Sequence, residues 1–169
     1  MITPEYALTM ARYNHWINKS IYASATRLSD AQRKRDLGAF FKSLHGTLNH
    51  ILVGDQLWLG RLTGAPARFP SLAHEICSDF EDLKRERAKT DGAIDAYAAA
   101  LTPERLARPL VYRTFLNPRD VVFPLGFALT HFFNHQTHHR GQATTLLMQL
   151  GVDPGVTDLI ALPGMEQAA

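Results

Sequence analysis

The stretch PLGFALTHFFNHQTHHRGQATTLLMQL, residues 124–150, reads as one helix and holds four of the chain's eight histidines, at positions 131, 135, 138 and 139. Pro124 opens it where a missing backbone N–H does no harm, and Gly151 stops it just before the turn-like VDPG. Ala128, Phe132, His135, His139, Gln142, Leu146 and Leu150 recur at spacings of three and four. This seam therefore runs through two histidines where apolar side chains are expected. A buried polar group without a partner costs about 1–3 kcal/mol, so imidazoles in such a seam must hydrogen-bond or bind something. Residues four apart lie one turn above each other, which suits two imidazoles converging on one cation.

Three more helical stripes lie upstream. Thr3 and Pro4 form a cap and first turn, followed by Tyr6, Met10, Tyr13, Ile17, Ile21, Ser24 and Leu28. After the polar SDAQRKRD and Gly38, a second stripe runs Leu44, Leu48, Ile51, Asp55, Trp58 and Leu62, with Gly64 as C-cap. Ser71 is placed to cap a third helix with the stripe Ile76, Phe80, Leu83, Arg87, Thr90, Ile94, Tyr97 and Leu101. Four amphipathic helices of similar length predict an all-α four-helix bundle. Residues 103 to 123 are the exception. There PLVYRTF and VVF flank a turn at Asn117–Asp120, predicting two short extended segments, a small hairpin, in a longer connection between the third and fourth helices.

Composition bounds the function. The 169 residues predict a single domain spanning 1–169, with 46% hydrophobic and 20% charged residues, as in ordinary globular proteins. A net charge of +2, with basic residues scattered or mixed with acids as in EDLKRERAK, gives no footprint for nucleic acid, and that run reads as a solvated helix face. The lone Cys77 excludes an internal disulfide and suits a reducing compartment, so the expected location is cytoplasmic. No apolar run is long enough to span a membrane, and residues 1–16 lack a signal-peptide core, so the mature chain is expected to begin near Met1.

The remaining histidines supply candidates for a third ligand. His131 precedes His135 by one turn, but each four-residue step drifts about 40° around the helix, so three ligands from one straight helix converge poorly. His50 is better placed, next to the Ile51 seam position on a flank that can face a neighbouring helix. His45 is turned away from it and reads as structural, and His15 and His74 read as exposed. His74–Glu75 lacks the second histidine of a zinc-protease motif, since position 78 is serine, and the E-x-x-H pairs of di-iron bundles are missing. No phosphate loop, nucleophile elbow or C-x-x-C occurs. Cys77 reads as a small core residue. Trp58 reads equally as cavity wall or core. Asp55 reads either as a partner orienting a ligand or, preferably, as a helix-face residue bonded to Arg61 or solvent.

LHGTLNHILVGDQLWL at 44–59 and the terminal HFFNHQTHHRGQ resemble the DinB-like metalloprotein family, and MARYNHWINKSIY is similar to its first helix. The resemblance covers essentially the whole chain. It implies a four-helix bundle carrying a divalent metal on three histidines, one from the second helix and an i, i+4 pair from the last. By position these are His50, His135 and His139, the trio that seam placement favours. Three neutral ligands describe an open site. Zinc or nickel is expected first and iron after them. Relatives include thiol-dependent isomerases and S-transferases, which implies a small-molecule substrate and a low-molecular-weight thiol cosubstrate, with metal-assisted hydrolysis as the second chemistry. The competing expectation is a non-enzymatic metal-binding stress-response or regulatory protein. The family also implies a homodimer. No catalytic acid or base is identified by the sequence.

Overall fold

The computed structural model describes residues 2–166. Four long helices, α1 (Pro4–Thr26), α3 (Leu44–Thr63), α4 (Phe80–Ala99) and α6 (Leu125–Gln149), form the bundle. Two short helices, α2 (Asp30–Lys34) and α5 (Pro103–Leu106), and a hairpin of β1 (Pro109–Arg113) and β2 (Asp120–Pro124) fill the connections. The ends follow local chemistry. The Thr3 side chain accepts from Tyr6 N at 3.2 Å, and that of Ser43 accepts from Gly46 N at 3.0 Å. Gly64 closes α3 with φ 76°, a left-handed conformation that glycine adopts without side-chain strain.

The α1 helix packs on α4 and α6, and α3 packs on the same two, so the first two long helices, α1 and α3, stand diagonally across the bundle. The longer passage from α4 to α6 likewise links diagonal partners. It carries the predicted hairpin, antiparallel with Val111 opposite Val122. Phe132, Ile17, Ile21, Leu44, Leu48, Leu52, Leu83 and Leu147 form the centre of the apolar core. No helix among the described residues is long and apolar enough to cross a membrane.

Three expectations are corrected. The third long helix starts at Phe80 behind an Asp79 cap, not at Ser71. Residues 71–79 are held irregular because α3 takes up their backbone groups. Cys77 O accepts from His45 Nε2 (3.0 Å) and Asn49 Nδ2 (3.2 Å), and Cys77 N donates to Asn49 Oδ1 (3.1 Å). Cys77 and His74 therefore lie in a loop. Tyr6, assigned to the first stripe, is exposed, whereas Asn14 and Asn18 are buried.

The third correction concerns helix rotation. The innermost polar residues of α6 are Gln136 and Arg140, one position beyond the histidines, which are only half-buried on the flank. Gln136 and Arg140 join a buried polar network. Asp55 accepts from Arg87 NH1 at 2.7 Å and from Gln136 Nε2 at 3.0 Å, and Arg140 donates to Asn14 Oδ1. Asp91 Oδ1 accepts from Asn14 (3.0 Å) and Asn18 (2.9 Å), with Arg87 NH2 2.9 Å away. Asp55 is therefore neither a surface residue bonded to Arg61 nor a partner of a histidine, and Arg87 in EDLKRERAK is core rather than solvated face.

Candidate metal centre

The helices α3 and α6 bring His50, His135 and His139 together, each offering a ring nitrogen within 4.8 Å of the others. The four-residue spacing of His135 and His139 puts their ring centroids 4.4 Å apart, and that of His50 lies 4.3 Å from His139. The remaining histidines do not join this cluster. His45 is buried against Cys77 O, and half-exposed His15 pairs with Asp95 Oδ2 at 2.6 Å. His74 lies beside Phe69, His131 packs on Trp58 and His138 is exposed.

Hydrogen bonds fix the two facing rings. The carbonyl of Leu72 can only accept, so His50 Nδ1–H donates to it at 2.8 Å, leaving the lone pair on Nε2. His139 Nδ1–H donates in the same way to Gln142 Oε1 at 2.8 Å. The two Nε2 atoms face each other at 3.1 Å, each presenting a lone pair. Such an arrangement is repulsive unless a proton or a cation lies between them. Burial disfavours the proton. It pushes His50 down to about 4, assisted by neighbouring His139, and His135 down to about 3, assisted by His139 and His50. His139 is lowered as well, chiefly by burial and against the Gln142 hydrogen bond. All three rings are neutral near pH 7, the state in which imidazole is a ligand. Nδ1 of His135 is buried with no partner among the described residues. The donor set therefore fits a divalent metal ion.

Sequence reasoning missed the residues that shape this centre. A β-carbon on Gly54 would stand 2.6 Å from Cε1 of His135 and 3.2 Å from its Nδ1, so glycine one turn after His50 lets the two helices present their rings to each other. A glycine inside a helix, which destabilises it by about 0.5–1 kcal/mol relative to alanine, was the available signal. Phe41 stacks on His50, with centroids 3.8 Å apart and planes at 16°, and covers one side. Neither Phe41 nor the Leu72 carbonyl carries a local sequence signal, because both arrive from loops.

A cavity of about 450 Å³ opens beside His50 and His135, between α3, α6 and the hairpin. Trp58 lines it while remaining largely buried, so it serves as both wall and core. Tyr112, Phe115 and Arg61 complete much of the lining, and among the described residues no Asp or Glu contributes.

Comparisons with known proteins agree with this architecture. The DinB family model matches residues 1–168. The chain is 24% identical over 160 residues to Protein DinB of Bacillus subtilis (strain 168), covering 91% of each chain. It superposes with a TM-score of 0.62 on the crystal structure of a DinB-like protein from Bacillus cereus ATCC 10987, at 21% identity and covering 96% of this chain and 97% of the other. A match of the family model along essentially the whole length, carried by a helical bundle of the same fold, places the chain in the DinB family.

Proposed function

We propose that His50, His135 and His139 hold a divalent cation, zinc or nickel before iron, in a metal-dependent enzyme that activates a small thiol or water. The observation that carries this reading is the pair of lone-pair-bearing Nε2 atoms 3.1 Å apart, with His135 completing a neutral three-histidine set. Three protein ligands leave coordination positions for an exogenous molecule, as in catalytic rather than structural sites. When bound, the ion supplies positive charge that favours thiolate over thiol, or lowers the pKa of water, near neutral pH. The chain's own contribution is to keep the imidazoles neutral, to orient two of them through Leu72 and Gln142, and to open the site toward the adjacent cavity. S-transfer or thiol addition to an electrophile is the first reaction class and metal-assisted hydrolysis the second. The lone cysteine fits a cytoplasmic setting.

The second reading is a non-enzymatic metal-binding or regulatory protein, favoured by a cavity lining that holds no Asp or Glu among the described residues. Metal analysis of untagged protein from its native host, followed by turnover assays with a small thiol and an electrophile, tests both. One ion per chain with thiol-dependent turnover supports the enzyme. One ion per chain without thiol-dependent or hydrolytic turnover supports the second reading, and no bound metal overturns both.

We further propose a homodimer, as the family resemblance implies. Directly paired Val111 and Val122 are 61% and 62% exposed on the outer face of the hairpin, and Phe127 is 58% exposed nearby in sequence, which supports an apolar contact there. Sedimentation at micromolar concentration showing only monomer would refute it.

A further inference from the structure

Arg61 stands apart from the other inward-facing arginines. Arg87 pairs with Asp55 and Asp91, Arg140 donates to Asn14 and Thr137, Arg33 to two carbonyls, and Arg105 to Leu62 O. Among the described residues the guanidinium of Arg61 is held only by aromatic rings, its carbon 4.6 Å from the Trp58 centroid and 4.5 Å from that of Tyr112. Among the described residues no carboxylate forms an ion pair with it. It faces the cavity that also reaches His50 and His135.

The charge of that cavity has one sign. Arg61 and Arg119 line it, His131 and Asn117 add polar groups, and among the described residues no acid balances them. The half-buried Arg61 guanidinium has no protein acceptor among the described residues, and a carboxylate or phosphate matches its forked geometry in two parallel hydrogen bonds. The two rings meet edge-on, with centroids 5.5 Å apart and planes at 66°, and contact with both restricts the guanidinium and lowers the entropy lost on binding. The volume, about 450 Å³, falls in the range of small-molecule sites. Thr114 and the two cluster histidines also line it, while Leu57, Trp58, Tyr112 and Phe115 offer flat or aliphatic contact.

We propose that this cavity is the substrate subsite and binds a small organic anion, its carboxylate or phosphate on Arg61 and its apolar body against Trp58 and Tyr112, extending toward the histidine cluster. The assignment of substrate rests on the metal-enzyme reading above, but the anion site itself rests on Arg61 and the cavity. Burial also lowers the pKa of Arg61, a penalty on its charge that a bound anion relieves.

The test uses the full chain treated with chelator, at neutral pH and low salt, titrated with phenylacetate, phenyl phosphate and neutral phenylacetamide by calorimetry. At least one anion is expected to bind about tenfold more tightly than the amide, the worth of one charge-assisted contact. Whichever anion binds more tightly identifies the group that Arg61 takes. Arg61→Gln is expected to remove that tenfold preference and Arg61→Lys to keep part of it. The wild-type comparison requires no variant, so a folding defect in Arg61→Gln does not protect the proposal. Equal affinity for amide and anions, no binding of either anion at millimolar concentration, or an unchanged preference in well-folded Arg61→Gln would each overturn it. Metal content measured on the same preparations separates the readings. Failure to bind metal sinks the metal centre while leaving the anion site standing, and loss of anion selectivity does the reverse.

Discussion

At position 54 any side chain meets the imidazole of His135, because a β-carbon would lie 2.6 Å from Cε1. Gly54→Ala raises intrinsic helix propensity by about 0.5–1 kcal/mol. It is nevertheless expected to weaken metal affinity about 10- to 100-fold, the range seen when the support of a ligand is disturbed. Competition against a chelator of known affinity measures this, and unchanged affinity would mean that His135 is not held where the proposal needs it. Replacing His50, His135 or His139 by Ala is expected to remove most of the metal, since two imidazoles hold a divalent cation far more weakly than three. His138→Ala should leave about one ion per chain, because exposed His138 lies outside the cluster. His45→Ala should also retain the ion while losing stability, because His45 supports Cys77. If His138→Ala empties the site while His139→Ala does not, the assignment of ligands fails. The histidines were legible because polar residues at seam spacing require an explanation. Gly54, Phe41 and the Leu72 carbonyl were not, because their roles depend on chain brought in from elsewhere.

Each long helix contributes a polar side chain to the interior, and this is where reading an element from its pattern reaches its limit. Asn14 and Asn18 from α1, Asp55 from α3, Arg87 and Asp91 from α4, and Gln136 and Arg140 from α6 are all at most 3% exposed. Spacing put Asp55 and Arg87 on their stripes, but it passed over Asn14, Asn18 and Asp91, and on α6 it laid the seam on His135 and His139, one position short of Gln136 and Arg140. Helix existence, the start of α1, the Gly64 end of α3, both ends of α6 to within a residue, and the hairpin were legible from caps and spacing, which are local. The start of α4 was not, because Asn49 and His45 reach into residues 71–79 from another helix. The network makes its own prediction. Asp55→Ala leaves Arg87 with one acidic partner and removes the acceptor of Gln136, so unfolding by denaturant should show a loss of about 3 kcal/mol. Metal content at saturating metal should stay near one per chain, because Asp55 donates nothing to the three histidines. A loss below about 1 kcal/mol, the net worth of a single neutral hydrogen bond, would show that the buried pair is not held as a pair.

For the whole molecule, the three depressed histidines tie stability to pH with a definite sign. The ordinary value of 6.5 applies in the unfolded chain, whereas folding lowers His50 to about 4 and His135 to about 3 and also lowers His139. Above 6.5 both states are neutral and these groups add no pH dependence. As pH falls below 6.5 the unfolded chain takes up protons that the folded chain refuses, so stability declines down to the folded values of about 4 and 3. A metal ion adds a second contribution of the same sign. Bound only by the folded state, at a concentration about 100 times its dissociation constant, it stabilises by about 2.7 kcal/mol, or about 5–10 °C in Tm for a chain of this size. That increment should vanish on acidification, since protons compete for the same three nitrogens. Thermal unfolding from pH 8 to pH 4, with and without chelator, separates the two contributions. Metal-loaded protein should lie above chelated protein at pH 7.5, and the two curves should merge near the acid end while both descend. A chelated curve that stays flat from pH 7 to pH 4.5 would contradict the buried neutral imidazoles. Curves that coincide at pH 7.5 with zinc in excess would contradict the metal centre itself. His135→Gln removes a ligand and a depressed imidazole together, so it should lose the metal increment and also show a shallower acid slope than the chelated wild type.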